Sequence, residues 1–375
     1  MCKFQVFLKK KLSNSRKNKQ TLYCKMYKES TFYDIFIFIS TIKPVFRDIS
    51  HDSCVTNICF FCMISSYLRL FFTIFSVPVA VFYFLTCYNN INFHNIYSQQ
   101  EVLHMKLCDH HLHSGFSDDS ETELTDIAEQ AIHLGMSEIC ITDHHDIDYP
   151  KDEEGHTFLL DTDRYISAIR KLQEQYKDKL TIHLGIELGL MSHIADKIIA
   201  YTDKYHDFDF IIGSSHLVYG KDPYYPAYYE GRSEKEALLE YFESILANVQ
   251  TFDNYSIYGH LDYAVRYCPS GEAAFRFSDY ADVFEAILKT IIEHGKGIEI
   301  NTGSLYKNMT YAHPHPSILK LYKELGGEII TVGSDAHVPK YIGYDFETYA
   351  RDILTATGFR YYCTFKQMKP VFHKL

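Results

Sequence analysis

The sequence predicts an α/β protein whose main body is a closed or nearly closed barrel of parallel strands. Three observations carry this. From Met105 onward, seven short apolar segments of strand type alternate with segments of helical spacing. Nearly every strand-like segment ends in a histidine or an acid. No glycine-rich dinucleotide fingerprint follows the first strand, which favours a barrel over an open doubly wound sheet.

The elements follow in order. A short strand over 106–109 leads to a helix over 123–133, with Thr122 available as its cap and Gly135 ending it. A second strand covers 138–142. Asp161 can cap a helix reaching Tyr176, in which Tyr165, Ile166, Ile169 and Leu172 recur at helical spacing. A strand over 181–187, a helix over 194–201 and a strand of buried type over 208–214 come next. Ser233 starts a helix through Val249, followed by a strand over 256–259. Ser278 caps a helix to His294, closed by Gly295, before a strand over 298–301. Pro316 and Ser317 open a helix to Leu325 that Gly326 and Gly327 close. A strand over 329–333, a helix over 346–357 and one more strand over 359–365 complete the chain. No low-complexity linker interrupts this body, so residues 105–375 read as one domain.

Charge is split unevenly along the 375 residues. Residues 1–104 hold 12 Lys+Arg against 5 Asp+Glu, while the rest hold 25 against 43. A body with a net charge of −18 is a poor partner for nucleic acid and points to a small substrate held by local positive charge. Six of the ten cysteines precede residue 104, and Cys108, Cys140, Cys268 and Cys363 show no paired spacing. That is cytosolic usage, and the location expected is the cytoplasm. Cys59 and Cys62 form an isolated C-x-x-C, a weak signal without a second pair.

Residues 1–104 form an atypical N-terminal extension without clear capping signals. The stretch 70–88 is apolar and uncharged, long enough to be a transmembrane candidate. Three readings stand: a membrane anchor with basic residues on the cytoplasmic side, an ordinary extension, or upstream DNA read through from a start placed too early. The third is favoured, because Met105 directly precedes the first strand and Gln100-Glu101-Val102 back-translates to a purine-rich ribosome-binding string. Membrane contact is expected only if residues 70–88 are expressed.

The strand ends carry the chemistry. The first gives Asp109-His110-His111-Leu112-His113; alternate side chains share a face, so His111 and His113 can grip one ion together. Asp119 follows in a turn. Later strands end in Asp143-His144-His145, Gly185-Ile186-Glu187, Ser214-Ser215-His216, Gly259-His260-Leu261-Asp262 and Ser334-Asp335-Ala336-His337. In a βα barrel these positions converge on one mouth. A lone strand-end histidine is more often a capping or core residue; a ligand at nearly every strand end is hard to obtain by chance. Mixed imidazole and carboxylate donors suit Zn, Mn or Fe, and this many suffice for two or three divalent ions. His145 is read as either orienting a ligand or lying at the surface, His183 as packing, and His313 and His315 as able to line the mouth.

These motifs closely resemble the PHP (polymerase and histidinol phosphatase) superfamily, and within it the monofunctional histidinol-phosphatases. The resemblance runs over about residues 105–375. It rests on His111-Leu112-His113, Thr142-Asp143-His144, Gly185-Ile186-Glu187, Ser215-His216, Gly259-His260 and Ser334-Asp335-Ala336-His337. The subfamily rests on the 208–216 run, on Gly259-His260-Leu261-Asp262-Tyr263 with Arg266-Tyr267, and on Glu299-Ile300-Asn301-Thr302-Gly303. The resemblance implies a distorted (β/α)7 TIM-like barrel with a trinuclear centre at the C-terminal ends of the strands. One ion would take His111, His113, Glu187 and Asp335. A second would share Glu187 and take His216 and His260. A third would take Asp119, His144 and His337. It also implies hydrolysis of L-histidinol phosphate to L-histidinol and phosphate, in histidine biosynthesis. Arg266 would hold the phosphate, and a carboxylate or imidazole of the metal shell, Asp335 or His337, would protonate the leaving alkoxide. Arg232 is a weaker candidate for the mouth. Two alternatives stand beside this: a phosphoesterase of the same scaffold acting on another small phosphomonoester or a nucleotide, and a membrane-tethered, non-catalytic metal-binding protein.

Overall fold

From Cys108 onward the chain alternates strand and helix as the apolar periodicity dictates. The computed structural model describes residues 108–151 and 155–375; the calls on residues 1–104, including the apolar stretch and the C-x-x-C pair, lie outside the described residues. No helix among the described residues is long and apolar enough to cross a membrane.

The barrel strands are β1 (Cys108–Asp109), β2 (Glu138–Ile141), β3 (His144–His145), β4 (Thr181–Gly189), β5 (Phe210–Ser214), β6 (Ile257–Tyr258), β7 (Gly297–Asn301) and β8 (Ile330–Gly333). Their order is β1-β2-β4-β5-β6-β7-β8, with every barrel pairing parallel and β3 added on β4 beyond the end of β2. The ends of the sheet meet. His110 N–H donates to the Val332 carbonyl at 3.2 Å, and a parallel bridge joins Leu112 to Ala336. This is the closed barrel expected. The pair β3 was not anticipated, since two histidines carry no strand propensity; register places His144 opposite Glu187.

The helices are α1 (Leu124–His133), α2 (Thr162–Tyr176), α3 (Ala195–Lys204), α4 (Glu234–Thr251), α5 (Ala281–Glu293), α6 (Gly303–Tyr306), α7 (Pro316–Glu324) and α8 (Arg351–Thr357). Asp161 caps α2 by accepting the Arg164 N–H, and Ser233 with Glu236 forms a capping box at α4. Two expected starts differ. Thr122 does not cap α1; its hydroxyl donates to the His337 carbonyl at 2.7 Å, a tertiary bond that outcompetes the local one. Ser278 lies in a 3-10 turn over Phe277–Asp279, so α5 starts three residues later without a side-chain cap. α7 opens at Pro316 as expected, with His315 as its cap, the ring accepting the Ser317 N–H at 3.1 Å. The helix expected over 346–357 begins as a π-turn, Phe346–Ala350, and becomes α-helical only at α8.

The last expected strand exists but leaves the barrel. β9 (Tyr361–Lys366) pairs antiparallel with β10 (Lys369–Lys374) through Gln367 and Met368, both at positive φ. That turn lacks the Asn-Gly signature by which hairpins are read. Phe365 N–H donates to His110 Nε2 at 3.2 Å and Met368 N–H to the Asp209 carbonyl at 2.8 Å, which seats the hairpin against β1 and the residue preceding β5.

Helix α4 packs its apolar face inward through Phe242, which is fully buried with ring centroids of Phe284 at 4.5 Å and Tyr280 at 5.0 Å. Phe242→Ala should cost about 3–5 kcal/mol in urea denaturation, because the rings around the cavity cannot all close on it. A loss below about 1 kcal/mol would show that the site repacks instead.

Candidate metal centre

The C-terminal strand ends deliver their side chains to one mouth, and Glu187 near the end of β4 is its hub. Its carboxylate is fully buried. Oε1 lies 2.9 Å from His260 Nε2 and 3.1 Å from His216 Nε2, and it accepts the Ser214 hydroxyl at 2.7 Å. Around Oε2 stand His144 Nδ1 at 3.0 Å, His111 Nε2 at 3.2 Å and His113 Nε2 at 3.5 Å. These three nitrogens and Oε2 are buried, and none makes a directed hydrogen bond. Unpaired buried polar atoms facing a common centre are costly unless something joins them, and imidazole with carboxylate is the donor set of a transition-metal cation.

The remaining predicted residues arrive at the same place. Asp335 Oδ1 lies 3.3 Å from His113 Nε2 and 3.7 Å from His111 Nε2. Asp335 is held there by a left-handed backbone, φ 55°, and by donating its N–H to the His111 carbonyl at 2.9 Å. Asp119 Oδ2 stands 3.0 Å from His337 Nε2 and 3.8 Å from His144 Nε2. The His113 ring stacks between those of His144 and His337, each at 4.2 Å. Four groupings bring ligand atoms within 4.8 Å of one another: His111-His113-Asp335, His111-Glu187-His260, His113-His144-His337 and His144-Asp146-His216. Eight of the nine expected ligands stand in these groupings, and the ninth, Asp119, meets His337 and His144 beside them. The groupings differ from the expected partition: they leave out Asp119, set His113 also beside His144 and His337, put His111 with Glu187 and His260, and join His216 to His144 and Asp146.

The carboxylates and imidazoles of the mouth are electrostatically coupled. Burial pushes Glu187 up, but His111, His216 and His144 hold its carboxyl well below the usual range. Burial likewise opposes Asp335, which Lys307 and His111 hold low. Burial would lower His111, yet Glu299, Glu187 and Asp335 keep it well above an ordinary histidine.

Of the other candidates, Arg266 follows β6 in a 3-10 turn, its guanidinium 5.0 Å over the Tyr263 ring and its Nη2 donating to the Tyr267 hydroxyl. Its Nε and Nη1 are buried without a hydrogen bond, and the Tyr263 ring lies 5.0 Å from that of His260. Arg232 is not in the mouth; it pairs with Glu240 and the Tyr228 carbonyl, bracing the start of α4. His145 is buried, stacked on Tyr201 at 4.1 Å, and accepts the Leu160 N–H. His183 is more than packing, because it bonds Glu138 at 3.0 Å. His313 bonds Asp262 at 2.7 Å in a fully buried pair. A concavity of about 550 Å³ opens at the other end of the barrel, lined by Thr181, His183, His206, Asp209 and Lys366, but none of the four groupings lies there.

Residues 109–303 match a family described as the PHP domain. A histidinol-phosphatase of Lactococcus lactis subsp. lactis (strain IL1403) is 34% identical over 266 residues, covering 71% of this chain and 96% of the relative. The chain belongs to the PHP-domain histidinol-phosphatase family. A second member, the histidinol-phosphatase of Bacillus subtilis (strain 168), is 24% identical over 273 residues, 65% of this chain and 98% of its own length. The crystal structure of the Lactococcus lactis subsp. lactis Il1403 histidinol phosphate phosphatase, complexed with Zn, L-histidinol and phosphate, has a TM-score of 0.63 at 33% identity, covering 71% of this chain and 99% of that one.

Within this family fold, two carboxylates that sequence reasoning did not place stand directly behind the histidines. Asp146 Oδ1 holds His216 Nδ1 at 2.8 Å, and Glu299 Oε2 holds His111 Nδ1 at 2.9 Å. Asp146 was readable as the residue two beyond His144, on the same face of an extended segment. Glu299 sits inside a family-like motif, but nothing in that motif points to a residue 188 positions away.

Proposed function

We infer that the chain is a metal-dependent histidinol-phosphatase, hydrolysing L-histidinol phosphate to L-histidinol and phosphate. The observation that carries it is the convergence of His111, His113, Asp119, His144, Glu187, His216, His260, Asp335 and His337 on one buried mouth, in a chain that spans 96% of a histidinol-phosphatase. His111, His113, Glu187 and Asp335 would hold one divalent cation, Glu187, His216 and His260 a second, and Asp119, His144 and His337 a third. Zn, Mn and Fe suit this donor set. Bound there, such ions lower the pKa of water and neutralise phosphoryl oxygens.

The chain's own residues supply the rest. The mouth is walled by the aromatic rings of Tyr263, Phe158 and stacked imidazoles, which limit competing water. Arg266 keeps Nε and Nη1 unpaired, and either can donate a charge-assisted hydrogen bond to a phosphate oxygen. In hydrolysis the P–O ester bond breaks as water oxygen bonds phosphorus, and the proton that this water gives up would pass through Asp335 or His337 to the histidinol alkoxide. The acidic body and the small-molecule relatives favour a compact phosphomonoester in the cytoplasm, with residues 105–375 as the catalytic domain.

Arg266→Ala should lower kcat/KM by on the order of 100-fold, since a buried charged donor to the phosphoryl group is lost. Unchanged kcat/KM would remove Arg266 from the phosphate site. The test of the activity is steady-state kinetics of the full chain on histidinol phosphate against nucleoside monophosphates. A preference for a nucleotide would replace the substrate assignment.

A further inference from the structure

Glu299 lies near the end of β7, directly behind the mouth, fully buried and in reach of three donors from three strands. His111 Nδ1 is 2.9 Å from Oε2 and 3.2 Å from Oε1. The backbone N–H of His260 donates to Oε1 at 2.9 Å, and Asn301 Nδ2 donates to the same atom at 3.1 Å. Space for this carboxylate is carved by glycine. A Cβ on Gly333 would come within 2.3 Å of His111 Cβ and 3.0 Å of Glu299 Oε2, and one on Gly259 within 3.4 Å of Oε1.

The chemistry follows from donor counting. A carboxylate accepts only, so every group facing it donates. With a cation in the mouth, His111 would keep its proton on Nδ1 toward Glu299 and leave the Nε2 lone pair for the cation beside Glu187 and Asp335. The same carboxylate anchors the backbone of His260, whose Nε2 meets the other oxygen of Glu187. One side chain thus sets the tautomer of a ligand on the β1 segment and the position of a ligand following β6. Other inward rings have single partners behind them: Ser117 for His113 and Asp146 for His216. Ser117 also accepts the His144 N–H at 3.0 Å, but as a neutral hydroxyl; Glu299 is the carboxylate that joins a ligand ring to the backbone of a second ligand.

We propose that Glu299 is a positioning residue for the metal centre, fixing the His111 tautomer and the His260 backbone together so that two cation sites depend on one carboxylate. The proposal rests on the metal-centre reading above. Glu299→Gln keeps size but cannot satisfy the donors. With its amide nitrogen toward His111, the ring must accept there and carry its proton on Nε2, where it no longer binds a cation. With the nitrogen the other way, it meets the His260 N–H and Asn301.

The test is Zn²⁺ affinity and stoichiometry of the full chain, by competition with a chromophoric chelator and by elemental analysis, on wild type, Glu299→Gln, Glu299→Asp and the control Glu138→Gln. The control removes the carboxylate that pairs with His183, away from the mouth. For Glu299→Gln we expect Zn²⁺ affinity 10- to 100-fold weaker, on the order found for partners of metal-bound histidines, with more than one ion lost per chain. The control should keep wild-type affinity. Should Glu299→Gln fail to fold by circular dichroism, Glu299→Asp decides: weaker binding supports the role, unchanged binding overturns it. Wild-type affinity and stoichiometry in a folded Glu299→Gln overturn the proposal. A control that loses Zn²⁺ equally would also overturn it, by showing a general structural effect. Failure of the wild type itself to bind Zn²⁺ would instead sink the metal-centre reading.

Discussion

His111→Ala and Asp335→Ala should each lower kcat/KM for histidinol phosphate by on the order of 10³-fold or more, about 4 kcal/mol of transition-state stabilisation. Both side chains face the oxygen and nitrogen atoms around Glu187 and belong to one close grouping of ligand atoms. The two variants differ in what they leave behind. His111 is fully buried, and its removal strands Glu299 without its ring partner; breaking such a buried pair costs about 3–5 kcal/mol. Asp335 is 5% exposed at the mouth, so Asp335→Ala is the cleaner probe of activity. Circular dichroism and urea denaturation alongside kinetics separate the two effects. A folded, metal-replete Asp335→Ala with wild-type rates would remove that residue from the machinery.

Stripping divalent metal with a chelator should abolish turnover while leaving the barrel folded, and adding back Zn²⁺ or Mn²⁺ should restore it. The fold rests on a continuous apolar core through Ile139, Leu184, Ile298 and the rings packed on α4, none of which depends on a cation. The stripped protein should nonetheless melt earlier, since a ligand at about 1,000 times its Kd contributes about 4 kcal/mol to stability. Full activity in a sample shown by elemental analysis to hold no transition metal is the result that contradicts the assignment.

Much of the site was readable because strand geometry is periodic. His111 and His113 share a face by alternation, and histidines or acids at successive strand ends converge if the strands form a barrel. Substrate-scale partners were harder. Arg232 and Arg266 look alike in sequence, yet one braces a helix against Glu240 while the other keeps two N–H groups unpaired beside the mouth. Helix starts erred where a tertiary partner competed with a local cap, as when Thr122 bonds the His337 carbonyl.

The sequence by itself determined the succession of βα units and the barrel class, because these follow from local periodicity, while the set of nine strand-end donors came from the family resemblance. Only the tertiary structure decided which side chains stand close together in the mouth, that Asp146 and Glu299 stand behind His216 and His111, and that the last strand leaves the barrel to form a hairpin. The reason is range: periodicity acts over a few residues, whereas the contact of His111 with Glu299 spans 188 positions and exists only once the barrel has closed.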